Sequence, residues 1–159
     1  MSQKLPGPAI SSAELLTPTA AEVLGRLRKF LLVLALLLFA GALVELWLVG
    51  HTVEFVQWIA FVLAGAGALS VTMTLFNFGP ATVRVLRVCM LVVALGSLFG
   101  IYQHVSGNIA FAREVHPDYS TSQLFWRGLQ GGNPLLAPGV LAVAALLALS
   151  ATYRYEVTT

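Results

Sequence analysis

FLLVLALLLFAGALVELWLVG, residues 30–50, holds a single charged side chain, Glu45. A helix of about 20 apolar residues crosses a hydrocarbon layer about 30 Å thick, so this stretch reads as a membrane span. Residues 55–76, 88–104 and 135–153 repeat its character. Charged residues make up 10% of the 159-residue chain and hydrophobic ones 58%. Soluble domains carry about 25% charged residues, so this chain cannot cover a water-facing surface. Four spans leave no room for a separate soluble domain. The net charge of +2 is too small to point to nucleic acid.

One alternative for the first run is a signal peptide, because Ala40-Gly41-Ala42 imitates a cleavage site after a short apolar core. Against it, 29 residues precede Phe30 and the apolar character continues to Gly50. The expectation is an uncleaved span. Cys89 is the sole cysteine, which excludes an intramolecular disulfide; it reads as a small buried hydrophobe.

Basic residues orient the spans. Lys4, Arg26, Arg28, Lys29, Arg84, Arg87 and Arg154 fall on one side, and only Arg113 and Arg127 on the other. The positive-inside rule then predicts both termini in the cytoplasm of a bacterial inner membrane. The expected fold is all-α: an integral membrane four-helix bundle with a short interfacial helix in the second external loop. Residues 1–29 form a partly helical cytoplasmic segment, 30–154 the bundle and 155–159 a tail.

Local signals mark the helix ends. Ser11-x-x-Glu14 and Thr19-x-x-Glu22 fit the capping box, and Thr17-Pro18 is a further possible start. Pro6 and Pro8 read as extended chain. Residues 50–54 make a tight turn, which pairs the first two spans antiparallel. Asn77-Phe78-Gly79-Pro80 is a breaker turn. About 30 residues separate His104 from Leu135, long for a loop in a compact domain. Within them Ser120-x-x-Gln123 caps a short helix carrying Leu124, Phe125, Trp126 and Leu129, ended by Gly131-Gly132. Such a helix lies in the outer headgroup layer. Asn133-Pro134 caps the last span, with Pro138 expected to kink its first turns.

Lipid removes the hydrophobic drive between helices, so small residues that allow close approach matter more. Gly41, Ala64, Gly96 and Gly100 are the candidates for helix packing.

Glu45 is the polar residue that most needs a reason, because an acid in the hydrocarbon costs about 2.5–3.5 kcal/mol on insertion scales. It lies 16 residues beyond Lys29, about 24 Å up a helix, and His104 lies 17 residues beyond Arg87, about 25 Å up a parallel one. The two therefore reach one depth. Gly96, Gly100, His104 and Asn108 follow each other at i, i+4. The expectation is an intramembrane polar cluster of Glu45, His104, Asn108, Gln57 and Tyr102, serving as a structural clasp or as a ligand, ion or proton site opening outward.

His51 and His116, with Glu54, Glu114 and Asp118, lack the spacing of a metal site. No histidine falls in mid-span to hold haem, and there is no C-x-x-C-H. A pigment or quinone needing no histidine stays open. Trp47, Trp58, Tyr153 and Tyr155 read as interface anchors. No nucleophile–base pair, phosphate loop or carboxylate dyad is present, so the expectation is no enzyme.

His104-x-x-Gly107-Asn108-x-x-Phe111-x-x-Glu114 and Pro134-x-x-Ala137-Pro138-Gly139 resemble a pattern in a group of small uncharacterised bacterial four-span membrane proteins. The resemblance covers residues 30–154. It implies a four-span inner-membrane protein and brings no activity, so no functional residue carries over.

The expected function is a non-catalytic integral subunit or scaffold of a larger membrane complex, respiratory and photosynthetic complexes being one class of host. The expected partners are the lipid bilayer with other membrane subunits or further copies of the chain. The alternatives are a small oligomeric transporter or channel protomer with Glu45 on its path, and an outward-facing ligand-binding or sensor protein.

Overall fold

A computed structural model describes residues 19–132 and 135–155. The signals at Ser11-Glu14, Thr17-Pro18, Pro6, Pro8 and Asn133-Pro134 lie outside the described residues.

Those residues form five helices and no strand: α1 (Ala20–Leu48), α2 (Phe55–Phe76), α3 (Pro80–Val115), α4 (Thr121–Gln130) and α5 (Leu136–Ala151). Three of them, α1, α2 and α3, are long and apolar enough to cross a membrane. Thr19 caps α1 with its hydroxyl on the Glu22 N–H, and the Glu22 carboxylate accepts from the Thr19 N–H at 2.9 Å. Pro80 opens α3, where its missing N–H costs nothing.

The third helix is longer than the apolar run that announced it. Gln103, His104, Ser106 and Asn108 end the apolar character, yet none of them breaks a helix. The first proline beyond Pro80 is Pro117, and the residue before it, His116, is pushed out of the helical region (φ −132°, ψ 75°). The 36 residues of α3 span about 54 Å. The long loop expected after His104 is therefore short. At the other extreme, α5 has 16 residues and spans about 24 Å. Its Pro138 is the third helical residue, where the N–H has no intrahelical partner, so no kink is needed.

Helices α1, α2, α3 and α5 pack in a ring, each against the next and α5 back against α1, while α4 packs on α3. Of the two diagonals, α2 and α5 touch sparingly, and α1 and α3 do not touch among the described residues. The buried stripe of α1 is Leu32, Ala35, Phe39, Ala42 and Leu46, one helical face by its alternating 3 and 4 spacing. Facing it, α5 contributes Leu141, Ala144, Ala145 and Ala148. Gly67 on α2 makes room for the Phe39 ring: a Cβ there would come within 2.6 Å of it. Buried hydroxyls bond within their own helix, Ser97 to the Val93 carbonyl at 2.8 Å and Thr74 to that of Ser70 at 2.9 Å.

Leu32, Phe39, Leu86 and Met90 are buried, but many more large apolar side chains point outward, Leu37 63% and Leu95 67% exposed among them, while alanine dominates the buried face of α5. A water-soluble fold buries its large hydrophobes. This inversion, with three span-length apolar helices, marks a membrane protein.

Candidate functional site

Two polar regions sit at opposite ends of the helices. At the Gly79 end, α5 runs out with unpaired carbonyls, as every helix does. Arg87 of α3 meets the one at the C-cap: its Nη2 donates to the Thr152 carbonyl and, beyond the helix, to that of Tyr155, at 2.6 and 2.9 Å, and its Nε to the Thr152 hydroxyl at 3.3 Å. Arg154, in the left-handed region at φ 53°, turns the chain so that Tyr155 comes back within reach. Arg28 of α1 lies 5.7 Å from the ring centres of both Phe78 and Tyr155, which meet edge to face. Cationic groups near a helix C-terminus and over aromatic faces are favourable. This end is a closed clasp.

The Gly50 end is open. Gly50 (φ 64°) stops α1: its N–H bonds the Trp47 carbonyl at 3.1 Å, and the next N–H, His51, reaches back to Leu46 at 3.0 Å. That pairing is a Schellman motif, and a left-handed residue at its centre favours glycine. The turn directs His51 inward, where its ring stacks on that of His104, centroids 6.3 Å apart and planes within 10°. Gln57 Oε1 accepts from the N–H groups of Val53 and Glu54 at 2.8 and 3.2 Å, which secures the start of α2.

Between these elements lies a cavity of about 530 Å³. Glu45, His51, Glu54, Gln57, Gln103 and His104 give it polar groups; Leu46, Ile59, Leu63, Phe99 and Leu141 give it apolar wall. Two features make the space. The short α5 is tied at its far end by Arg87, so only its first turns, Ala137 to Leu141, reach the cavity. Ala42 and Ala60, small residues on the facing helices, add little side-chain volume to its wall.

Of the residues singled out from sequence, Glu45, His104 and Gln57 line this cavity. No hydrogen bond or ion pair joins Glu45 to His104, and the buried Nδ1 of His104 has no partner. Asn108 faces away, onto α4, where its Nδ2 donates to the Gly128 carbonyl at 3.0 Å. A Cβ on Gly131 would strike the Asn108 side chain, so this asparagine fastens α4 to α3. The i, i+4 series from Gly96 drifts round the helix, and its last member has turned to a different neighbour. Tyr102 is 64% exposed and outside the cavity.

The small residues divide as well. Gly96 faces Leu63 of α2, Gly100 faces Pro138 of α5, and Ala64 is fully buried. Gly41 is exposed, with nothing of this chain within 4 Å of an added Cβ. It lies one residue, about 100° of helix rotation, from the buried Ala42.

His51 was missed as a member of this group, although a turn this tight had to lie beside the neighbouring helix ends. Among the described residues no three histidine, cysteine or acidic side chains gather closely enough to hold a metal ion. No family model, curated protein or solved structure matches the chain.

Proposed function

We propose that the chain is a non-catalytic integral membrane protein whose working part is the cavity at the Gly50 end, a ligand site reached from outside. In this reading α1, α2, α3 and α5 are four spans of a bundle in a bacterial inner membrane, as in the small four-span proteins that its H-x-x-G-N pattern resembles. Both termini face the cytoplasm. Helix α4 lies along the outer boundary, with Phe125 and Trp126 exposed for the lipid and Leu124 packed inward.

The cavity carries the proposal. Small-molecule sites are concave, about 300–1,000 Å³, largely apolar, with a few convergent polar groups, and this one fits on each count. Nothing among its lining side chains pairs a nucleophile with a base, so binding rather than chemistry is the natural use.

The test is purification of the full chain in mild detergent, with mass identification of whatever small molecule travels with it. Ala60→Phe, which fills the cavity from α2, should release that molecule while the protein stays folded. Identical contents in both preparations would sink the reading. Topology is checked in a Cys89→Ser background: Ser120→Cys should react with an impermeant thiol reagent on intact cells and Arg84→Cys should not.

A second reading, a subunit of a larger membrane complex or an oligomeric channel protomer, is favoured by the outer face of α1. There Gly41 is exposed, and an added Cβ would meet none of the described residues within 4 Å. A stoichiometric second chain, lost on Gly41→Leu, would favour it.

A further inference from the structure

Glu45 is uncompensated three times over. It lies in the last turn of α1, where the helix dipole disfavours an anion and no basic residue is present. No hydrogen bond or ion pair reaches its carboxylate among the described residues. No lysine or arginine lines the cavity it faces. Glu54, the other acid on the wall, differs in its place on a helix. It is the N-cap of α2, where the same dipole favours negative charge. Of the two carboxylates on the wall, Glu45 is therefore the one whose own helix disfavours its charge.

The neighbouring groups say what kind of cation belongs there. A metal ion lacks a third close ligand. A hydrogen-bonding cation finds an acceptor in Glu45, with His104 and the stacked His51 on the same cavity wall. Behind them the wall is hydrocarbon from all four ring helices: Leu46, Ile59, Leu63, Phe99 and Leu141. Polar head and apolar tail are thus both specified.

We propose that the cavity takes a primary ammonium amphiphile, its –NH₃⁺ at Glu45 and its alkyl chain along the Leu63–Leu141 wall. The assignment rests on the reading of the cavity as a ligand site, and deepens it. A cationic side chain from a neighbouring subunit would meet the same carboxylate without filling the wall, which separates the two outcomes.

The test uses the full chain in nanodiscs of zwitterionic lipid, with equilibrium dialysis of three labelled probes of equal length: decylammonium, decanol and decyl sulfate. Partition into lipid is linear, so the saturable component reports the site. Decylammonium should saturate at one per chain, decanol more weakly and decyl sulfate not at all. Glu45→Gln should weaken decylammonium about 10-fold, equivalent to about 1.4 kcal/mol, and leave decanol within about twofold. Ala60→Phe should abolish saturation by both, and wild-type protein freed of decylammonium by excess unlabelled amine serves as a control independent of any variant's folding. Equal affinity for decylammonium and decanol, unaltered by Glu45→Gln, would overturn the ammonium assignment and leave the cavity as a site for neutral ligands. No saturable component for any probe would overturn the ligand-site reading itself.

Discussion

The two ends of this helix ring use charge in opposite ways. At the Gly79 end Arg87 donates to the Thr152 and Tyr155 carbonyls, and Arg28, whose buried Nε has no hydrogen-bond partner, lies against the Phe78 and Tyr155 rings. At the Gly50 end Glu45 and His104 meet a cavity instead of a partner. Both ends are polar in sequence. Only one is polar because the backbone needs it. Charge that terminates a helix is structural, and charge that faces an unfilled space is available for something else.

That contrast can be broken most directly at Arg87. Arg87→Leu takes the charged donor from the Thr152 and Tyr155 carbonyls just past α5, and hydrogen bonds from such a donor are worth about 1.5–3 kcal/mol each, so a loss of about 3 kcal/mol is expected after non-additivity. Thermal unfolding in detergent measures it, with Arg87→Lys intermediate. A Tm close to wild type would mean that α5 is held elsewhere.

Next comes the core between the two ends. Gly67→Ala places a methyl group against the Phe39 ring and should cost about 1–3 kcal/mol by overpacking. Phe39→Leu in the same chain should recover part of that loss. If the double variant is no better than the single one, the ring is not the obstacle.

Gly50→Ala is smaller. A left-handed alanine costs about 1 kcal/mol, and the turn that carries His51 should loosen, read as faster backbone amide exchange at residues 50–52. Unchanged exchange there would detach His51 from the helix stop.

Smallest of all is Glu45→Gln, expected within about 0.5 kcal/mol of wild type, since no partner is lost. This sharpens the comparison. A large destabilisation would move Glu45 into the class of Arg87 and remove its claim to a binding role.

Local rules carried far along this chain, and non-local ones did not. The capping boxes at Thr19-Glu22 and Ser120-Gln123, the stop at Gly131 and the limits of α2 were all legible, because each depends on neighbours within four residues. The end of α3 was not. Hydropathy falls at His104, but hydropathy reports the solvent around a helix, whereas only a breaker such as Pro117 reports where it stops. Counting along parallel helices puts Glu45 and His104 at one depth, and both line the cavity, but the cavity depends on something no count along the chain contains, the shortness of α5 and its attachment at Arg87. Asn108 shows the same limit: spacing put it on the His104 face, while the arrival of α4 decided what it touches.

The short α5 has one more consequence, felt by the lipid. A helix of about 24 Å beside one of about 54 Å gives the molecule a thin side and a thick side. If α5 is a span, as proposed above, a bilayer about 30 Å thick meets the thin side by thinning locally, at a cost of a fraction of a kcal/mol per ångström. In this membrane reading, copies of the protein gain by sharing one pinched patch rather than making two. Lipids with shorter chains should gather beside α5, the flank from which a hydrophobic guest has the least hydrocarbon to cross on its way to the cavity.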